Sequence, residues 1–323
     1  MFETDFFNKK RILITGASGF VGSNLVPLFN DIDCELFLPS KKDFDLRIQS
    51  SVKKLFKEVK PNIVFHLAAL VGGIKANMNY PASFFYDNLI SQTLVMHEAH
   101  LSSCEKFITL MGGCSYPNSA VSPINEDQIW NGYPHEGAAA YSSAKKMNIV
   151  MSESYRTQFN FNSLVLVPGN IYGPYDNFDL ENSHVIPALI RKYYEAQEND
   201  LPEVIAWGTG RPQRDFIYIQ DAVEAIFKAS VVLNTSKIIN ISSGKLISIK
   251  TLTEKIAQIV KYDGKIIWDK SKPDGQMIKG FDVKKMTDLL EFKPEYDLEE
   301  GLKLTFEWFK ANIKNAKLEL DIR

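Results

Sequence analysis

The chain has 323 residues, 45% hydrophobic and 24% charged, enough to bury a full core as one large domain or two moderate ones. A formal charge of −2 gives no electrostatic case for nucleic acid, and no stretch approaches the roughly 20 apolar residues of a membrane span. The acidic residues in the first ten positions leave no apolar core for a signal peptide, so a soluble, cytoplasmic protein is expected.

The predicted elements alternate through the first half. Arg11–Thr15 reads as a buried strand ending in a glycine-rich turn, followed by an amphipathic helix over 23–30 and a strand ending near Leu38. Val52, Leu55, Phe56 and Val59 fall at helical spacing, 61–67 is the next buried strand, and 106–110 and 163–167 repeat the strand pattern. Between those last two strands a long helix begins near Tyr141. Alternation of this kind predicts a Rossmann-type, doubly wound parallel sheet with helices on both faces. After Pro168 the glycines and prolines break the order, and a smaller α/β lobe is expected there. The division reads as a dinucleotide-binding domain over 8–168, with return segments near 213–242, and a lobe from 169–212 and 243–323. Residues 237–241 return to the sheet, and 251–260 and 298–309 read as surface helices. Cys34, Cys104 and Cys114 show no CxxC spacing, and an odd count provides neither a disulfide framework nor a zinc site, so no metal is expected.

Three short segments carry chemistry. Gly16, Gly19 and Gly22 are spaced three apart between the first strand and its helix, which lets backbone approach a pyrophosphate and points helix amides at it. At the end of the second strand, NAD sites place an acid to bind the ribose hydroxyls. This chain has Ser40, Lys41 and Lys42 there, which favours NADP(H) and leaves NAD(H) as the other choice; the same lysines would also suit a solvated loop. Tyr141 and Lys145, at i and i+4, share one helix face and present a phenol beside an ammonium.

With the glycine turn and His66-Leu-Ala-Ala69, the Tyr141-x-x-x-Lys145 pair resembles the extended short-chain dehydrogenase/reductases. Val71-Gly-Gly-Ile74, Cys114-Ser-Tyr-Pro117, Asn170-Ile-Tyr-Gly-Pro174, Asn182-Ser-His-Val-Ile-Pro187 and Trp207-Gly-Thr-Gly210 narrow the likeness to the GDP-L-fucose synthases, which are GDP-4-keto-6-deoxymannose epimerase/reductases. The resemblance implies a GDP-linked 4-keto sugar as substrate. Tyr141 would protonate the 4-keto oxygen as hydride arrives from the nicotinamide, and Lys145 would bind the nicotinamide ribose and draw the phenol's pKa down. Cys114 and His184 match the acid/base pair that inverts carbons 3 and 5, although either type is as often structural.

The resemblance further implies cofactor contacts at Gly16, Ser18, Gly19, Phe20, Val21 and Gly22, at Ser40, Lys41 and Lys42, at Leu67, Ala68 and Ala69, at Tyr141 and Lys145, and at Pro168, Asn170 and Ile171. Substrate contacts would come from Gly112, Gly113, Asn170, Val185, Arg191, Lys192, Trp207 and Arg214; Trp207 would equally suit a core, and Asp215 and Asp221 read as structural. A homodimer through paired helices is implied, with Phe84, Phe85, Leu89, Leu94 and Val95 as its face or as core.

Two departures stand out. Gly112 occupies the position where the family carries a Ser or Thr that bonds the keto oxygen, and losing such a donor costs on the order of 10²-fold in rate. Ser142, Ser143, a backbone amide or a water would have to replace it, unless the substrate itself differs. Lys192, beside Arg191, stands at the family's nucleotide-binding arginine. The alternatives are a 4-reductase or an epimerase without the second activity, including one for a GDP-heptose, and a catalytically weak dinucleotide sensor.

Overall fold

The computed structural model describes residues 4–272, 274–314, 316 and 318. Its first strand, β1 (Arg11–Thr15), is buried from Ile12 to Thr15, the continuous apolar run of a strand covered on both faces. Helix α1 (Phe20–Leu25) stops earlier than its pattern suggests, because Pro27 has no N–H to give and the chain tightens into a 3-10 turn over Val26–Phe29. Then come β2 (Glu35–Phe37), α2 (Gln49–Val59), β3 (Ile63–His66), α3 (Ile74–Asn79), α4 (Pro81–Leu101), β4 (Lys106–Leu110), α5 (Ala139–Phe159) and β5 (Ser163–Pro168). On α2 the buried face is Val52, Leu55, Phe56 and Val59, as the helical spacing predicts.

The second half contains β6 (Asn170–Tyr172), α6 (Val185–Glu198), β7 (Glu203–Trp207), β8 (Gln213–Tyr218), α7 (Ile219–Val232), β9 (Ile239–Ile241), β10 (Leu246–Ser248), α8 (Ile249–Val260), β11 (Lys265–Asp269), β12 (Ile278–Lys279), α9 (Lys284–Leu290) and α10 (Leu298–Asn312).

Six strands form one parallel sheet in the order β2-β1-β3-β4-β5-β9. The order reverses between β1 and β3, which opens a crevice beyond their carboxyl ends, the place where doubly wound sheets bind ligands. The fold is therefore the expected Rossmann-type sheet with an added lobe. Of the stretch 213–242, α7 packs on α1 and β9 joins the main sheet, whereas β8 pairs with β6, β10 and β12 in a second sheet. A two-stranded sheet, β7 with β11, completes the lobe. Phe7, Phe29, Phe65 and Phe227 interlock with centroids 4.9–6.4 Å apart and close the base of the main sheet.

Candidate active site

The residues expected to hold a dinucleotide gather at the carboxyl ends of the parallel strands. Gly16 follows β1 with φ +73°, and a Cβ there would stand 2.6 Å from the backbone nitrogen of Ala68 after β3. A Cβ on Gly22 would lie 2.3 Å from the Gly16 carbonyl oxygen, so both glycines are needed for strand, turn and helix to close. Ser18 and Gly19 are exposed at the tip of that turn, Phe20 and Val21 start α1, and Leu67, Ala68 and Ala69 line the next loop. After β2, Ser40, Lys41 and Lys42 are exposed, with the Ser40 hydroxyl donating to Asp43 at 2.6 Å. A tight glycine cradle beside an exposed cationic loop fits a dinucleotide carrying an extra phosphate. The next turn is braced by Arg47, which binds Asp45 at 2.7 Å and Asp87 at 3.1 Å and holds the Asp45 carboxyl at a pKa of about 2.

The chemical centre lies where β4 ends against α5. Tyr141 is buried, with its ring edge-on to Phe84 at 6.3 Å and in one apolar cluster with Ala76, Leu70 and Cys114. Ser142 donates to the Cys114 carbonyl at 3.1 Å and so ties the Gly113–Ser115 turn to the helix. Gly112 faces both groups: a Cβ there would be 3.2 Å from Cys114 Sγ, 3.4 Å from Tyr141 Cε1 and 3.6 Å from the Tyr141 hydroxyl. Burial pushes the Tyr141 phenol well above its ordinary pKa, and the charge on Cys114 adds to the rise. The expectation that Lys145 pulls the phenol down is not met, because desolvation dominates. Burial also lowers Lys145 to about 8, partly offset by Cys114. Beneath it His66 is fully enclosed, its Nδ1 2.8 Å from Thr15 Oγ1, and burial with the Lys145 charge holds it neutral at a pKa of about 3.

His184 precedes α6 and is placed by a contact between loops. Gly73 donates to the Asn182 carbonyl at 2.6 Å, and Asn77 Nδ2 donates to the Gly72 and Gly73 carbonyls at 2.9 and 3.0 Å. An ion pair of Lys75 with Glu181 crosses the same gap. The segment that packs on Tyr141 through Ala76 thus also holds the loop that precedes His184. His184 is exposed as a residue, and desolvation by the protein around its imidazole draws its pKa below the usual value. His135 is structural: its Nδ1 accepts from the Gly137 amide at 3.1 Å.

From the second lobe, Asn170 follows Pro168 and donates to the Asp215 carbonyl at 2.7 Å, with Ile171 next to it in β6. Asp215 is fully buried and accepts from Ser243 Oγ at 2.6 Å and from the amides of Ser243, Gly244 and Phe281 at 3.1, 3.0 and 3.4 Å. It is a structural clamp, as is Asp221, which accepts from the amides of Glu295 and Tyr296. Arg214 donates to the Gln213 and Gln276 carbonyls at 2.8 and 2.6 Å, and burial lowers its pKa.

Arg191 is engaged elsewhere, bound to Glu195 at 2.6 Å and to the Phe178 and Leu318 carbonyls at 3.1 Å. Its neighbour Lys192 donates to the Ile205 carbonyl at 2.6 Å, beside the β7 strand that ends in Trp207. Trp207 is 62% exposed, which removes the core alternative, and Lys272 sits 5.7 Å over its ring. Val185 opens α6 and is half-buried. Sequence reasoning missed Lys279 of β12, which pairs in register with Arg214 of β8 and whose pKa is lowered by desolvation. Lysine is common on surfaces, and nothing local marks this one.

The profile of the NAD dependent epimerase/dehydratase family matches residues 12–242. A putative GDP-L-fucose synthase 2 of Arabidopsis thaliana is 37% identical over 308 residues, 95% of this chain and 94% of that one. Among solved structures, a GDP-6-OMe-4-keto-L-xylo-heptose reductase from C. jejuni superposes with a TM-score of 0.87 at 31% identity, covering 95% of this chain and 99% of the other. A GDP-L-fucose synthetase from Naegleria fowleri bound to NADP gives 0.89 at 27% identity, covering 96% and 97%. The chain belongs to the NAD dependent epimerase/dehydratase family, among the extended short-chain dehydrogenase/reductases related to GDP-L-fucose synthases.

Proposed function

We propose that the protein is an NADPH-dependent epimerase/reductase acting on a GDP-linked 4-keto sugar. The observation that carries this reading is the convergence of Cys114 Sγ and the Tyr141 hydroxyl on one small volume beside Gly112, at the carboxyl edge of the parallel sheet. When bound, the cofactor supplies the hydride for carbon 4. The glycine turn and the loop after β3 would hold its pyrophosphate, Ser40 to Lys42 its additional phosphate, and Lys145 its nicotinamide ribose. Tyr141 stays protonated because burial raises its pKa, so it arrives as a neutral acid able to give its proton to the keto oxygen.

Carbons 3 and 5 flank the ketone, and their protons are acidified by it. Inversion requires one group to take a proton and another to return one from the opposite face. Cys114 is half-buried against Tyr141 and would act on one face of the sugar, with His184, at the start of α6, acting on the other. The nucleotide end would reach Lys192 and Trp207, with Arg214 closing on the diphosphate; Arg191 is occupied by Glu195 and is a weaker choice. The test is incubation with GDP-4-keto-6-deoxymannose and NADPH. One NADPH oxidised per GDP-6-deoxyhexose formed supports the reading; no oxidation with this sugar or its GDP-4-keto-heptose counterpart contradicts it.

One observation favours a narrower second reading, a 4-reductase for a GDP-heptose. Gly112 removes the hydroxyl expected beside the ketone, and the chain superposes on a heptose reductase. Product stereochemistry separates the two.

A homodimer through α4 and α5 is part of the proposal. Phe84 and Val95 belong to the intramolecular core, but Phe85, Tyr86 and Leu101 on α4 and Val150 on α5 are exposed. The cytoplasm is the compartment we propose, since Cys34, Cys104 and Cys114 are all unpaired. Light scattering at micromolar concentration tests the dimer: a single monomeric mass would refute it.

A further inference from the structure

One short helix touches both sides of the proposed chemistry. In α3, Ala76 packs with Tyr141, Phe84 and Cys114 in one apolar cluster, and Gly73, which caps the start of the helix, meets the turn before His184. The Gly73 amide donates to the Asn182 carbonyl at 2.6 Å, and a Cβ on Gly73 would stand 2.7 Å from the Ser183 carbonyl oxygen. Only bare backbone comes this close. The turn it meets is stiff in itself: Asp179 Oδ1 accepts from the amides of Glu181 and Asn182, both at 2.8 Å, and the Asp179 carbonyl accepts from the Ser183 amide at 3.2 Å. His184 follows directly and caps α6, its carbonyl taking the Ala188 amide at 3.2 Å.

Asn77 decides how Gly73 meets that turn. Its buried side chain, on the next turn of α3, folds back so that Nδ2 donates to the Gly72 carbonyl at 2.9 Å and to the Gly73 carbonyl at 3.0 Å, beside the helical bond from the Asn77 amide to Gly73 at 3.1 Å. The Gly72 carbonyl and the Gly73 N–H are opposite edges of one planar peptide unit, so the bond from Asn77 to the carbonyl sets the direction in which that N–H points. With glycine on both sides, the plane would otherwise turn freely.

We propose that Asn77 is the positioning residue of His184: by orienting the Gly72–Gly73 peptide it sets where the 179–183 turn, and with it the backbone of His184, stands relative to the Tyr141 and Cys114 cluster. The inference rests on the acid/base role proposed for His184. Asn77 touches no reacting atom and changes no covalent bond. Inversion needs His184 and Cys114 on opposite faces of one sugar carbon, a placement on which hydride transfer beside Tyr141 does not depend. Loosening the tie therefore costs the inversion and spares the hydride step; a displacement of about 1 Å suffices for a loss on the order of 10²-fold.

Hydrogen exchange of the full chain at pH 7.5, read on the peptide that holds amides 181–183, tests the tie without substrate. Asn77→Ala should speed that peptide by about fivefold or more and leave α10 unchanged. Asn77→Leu, which fills the space without donors, carries the same expectation and serves where the alanine variant misfolds. With substrate, both variants should lose deuterium uptake at carbons 3 and 5 of GDP-4-keto-6-deoxymannose by about tenfold or more, while hydride transfer read in reverse, from GDP-L-fucose to NADP⁺, stays within about twofold of the parent. Unchanged amide exchange in a folded variant would overturn the assignment, and so would equal losses of inversion and hydride transfer, which would make Asn77 a support of the whole site. A parent that turns over no GDP-4-keto sugar would sink the proposed function and leave the amide-exchange result standing.

Discussion

Gly112 and Cys114 share one volume: the Cβ that Gly112 lacks would stand 3.2 Å from Cys114 Sγ. That separation is tighter than an ordinary van der Waals contact, so any side chain at 112 must move the thiol. The absent hydroxyl is thus linked to where the sulfur sits. Gly112→Ala should displace Cys114 by a few tenths of an ångström and cut proton exchange at carbons 3 and 5 by roughly tenfold, with NADPH affinity unchanged. Gly112→Ser adds a donor beside the ketone and should reduce carbon 4 faster than Gly112→Ala by about tenfold. Paired assays of deuterium uptake and NADPH oxidation check both.

Tyr141→Phe removes the acid while leaving the ring against Phe84. The expected result is a fall of about 10²- to 10⁴-fold in kcat for reduction, with little change in the dissociation constant for NADPH. Stopped-flow reduction and fluorescence titration separate the two quantities.

Lys145 gives a pH signature in stability. Its pKa is lowered from 10.5 unfolded to about 8 folded, so below pH 8 the fold bears the cost of a buried ammonium, roughly 3 kcal/mol. Between pH 8 and 10.5 the unfolded chain binds more protons, and this cost disappears as pH rises. Lys145→Met should therefore raise the melting temperature at pH 7 and lose that advantage by pH 10.5. Denaturant titrations of both proteins at the two pH values test the sign.

Asp215 joins the lobe to the main sheet through Ser243, Gly244 and Phe281. Asp215→Ala leaves buried amides without an acceptor and should destabilise the protein by about 3 kcal/mol. Calorimetry of the purified variant measures it.

The cationic loop after β2 makes a prediction about cofactor choice. Lys42→Glu should weaken NADPH binding by about tenfold and leave NADH within twofold, because only the former brings a phosphate to that edge. Equal losses for both would remove Lys42 from the cofactor site.

Much of this arrangement is legible in the amino-acid sequence. The strands at 11–15, 106–110 and 163–168 are apolar runs whose burial on both faces leaves a local signature, and Tyr141 with Lys145 share a face by helical spacing alone. What escaped was decided over long distances. Lys279 is a surface-like residue until β12 pairs with β8, and Arg191 reads as a ligand until Glu195 and the chain near Leu318 engage it. Phe84 looks as ready for a partner subunit as for Tyr141, and packing chose Tyr141. Trp207 shows the reverse, a large aromatic of core type that the two-stranded sheet leaves outside. The phenol was misjudged for a related reason: spacing reports the nearby ammonium but not the depth of burial that outweighs it.

In the proposed reaction one site both reduces carbon 4 and inverts its neighbours. The most direct measurement is turnover of GDP-4-keto-6-deoxymannose with NADPH in deuterated water, with the product read by proton NMR for the parent and for Cys114→Ser. Deuterium is expected at carbons 3 and 5 of a 4-reduced product, with Cys114→Ser losing the exchange and retaining reduction of any sugar already inverted. Reduction without deuterium at either carbon in the parent would contradict it and leave a simple 4-reductase.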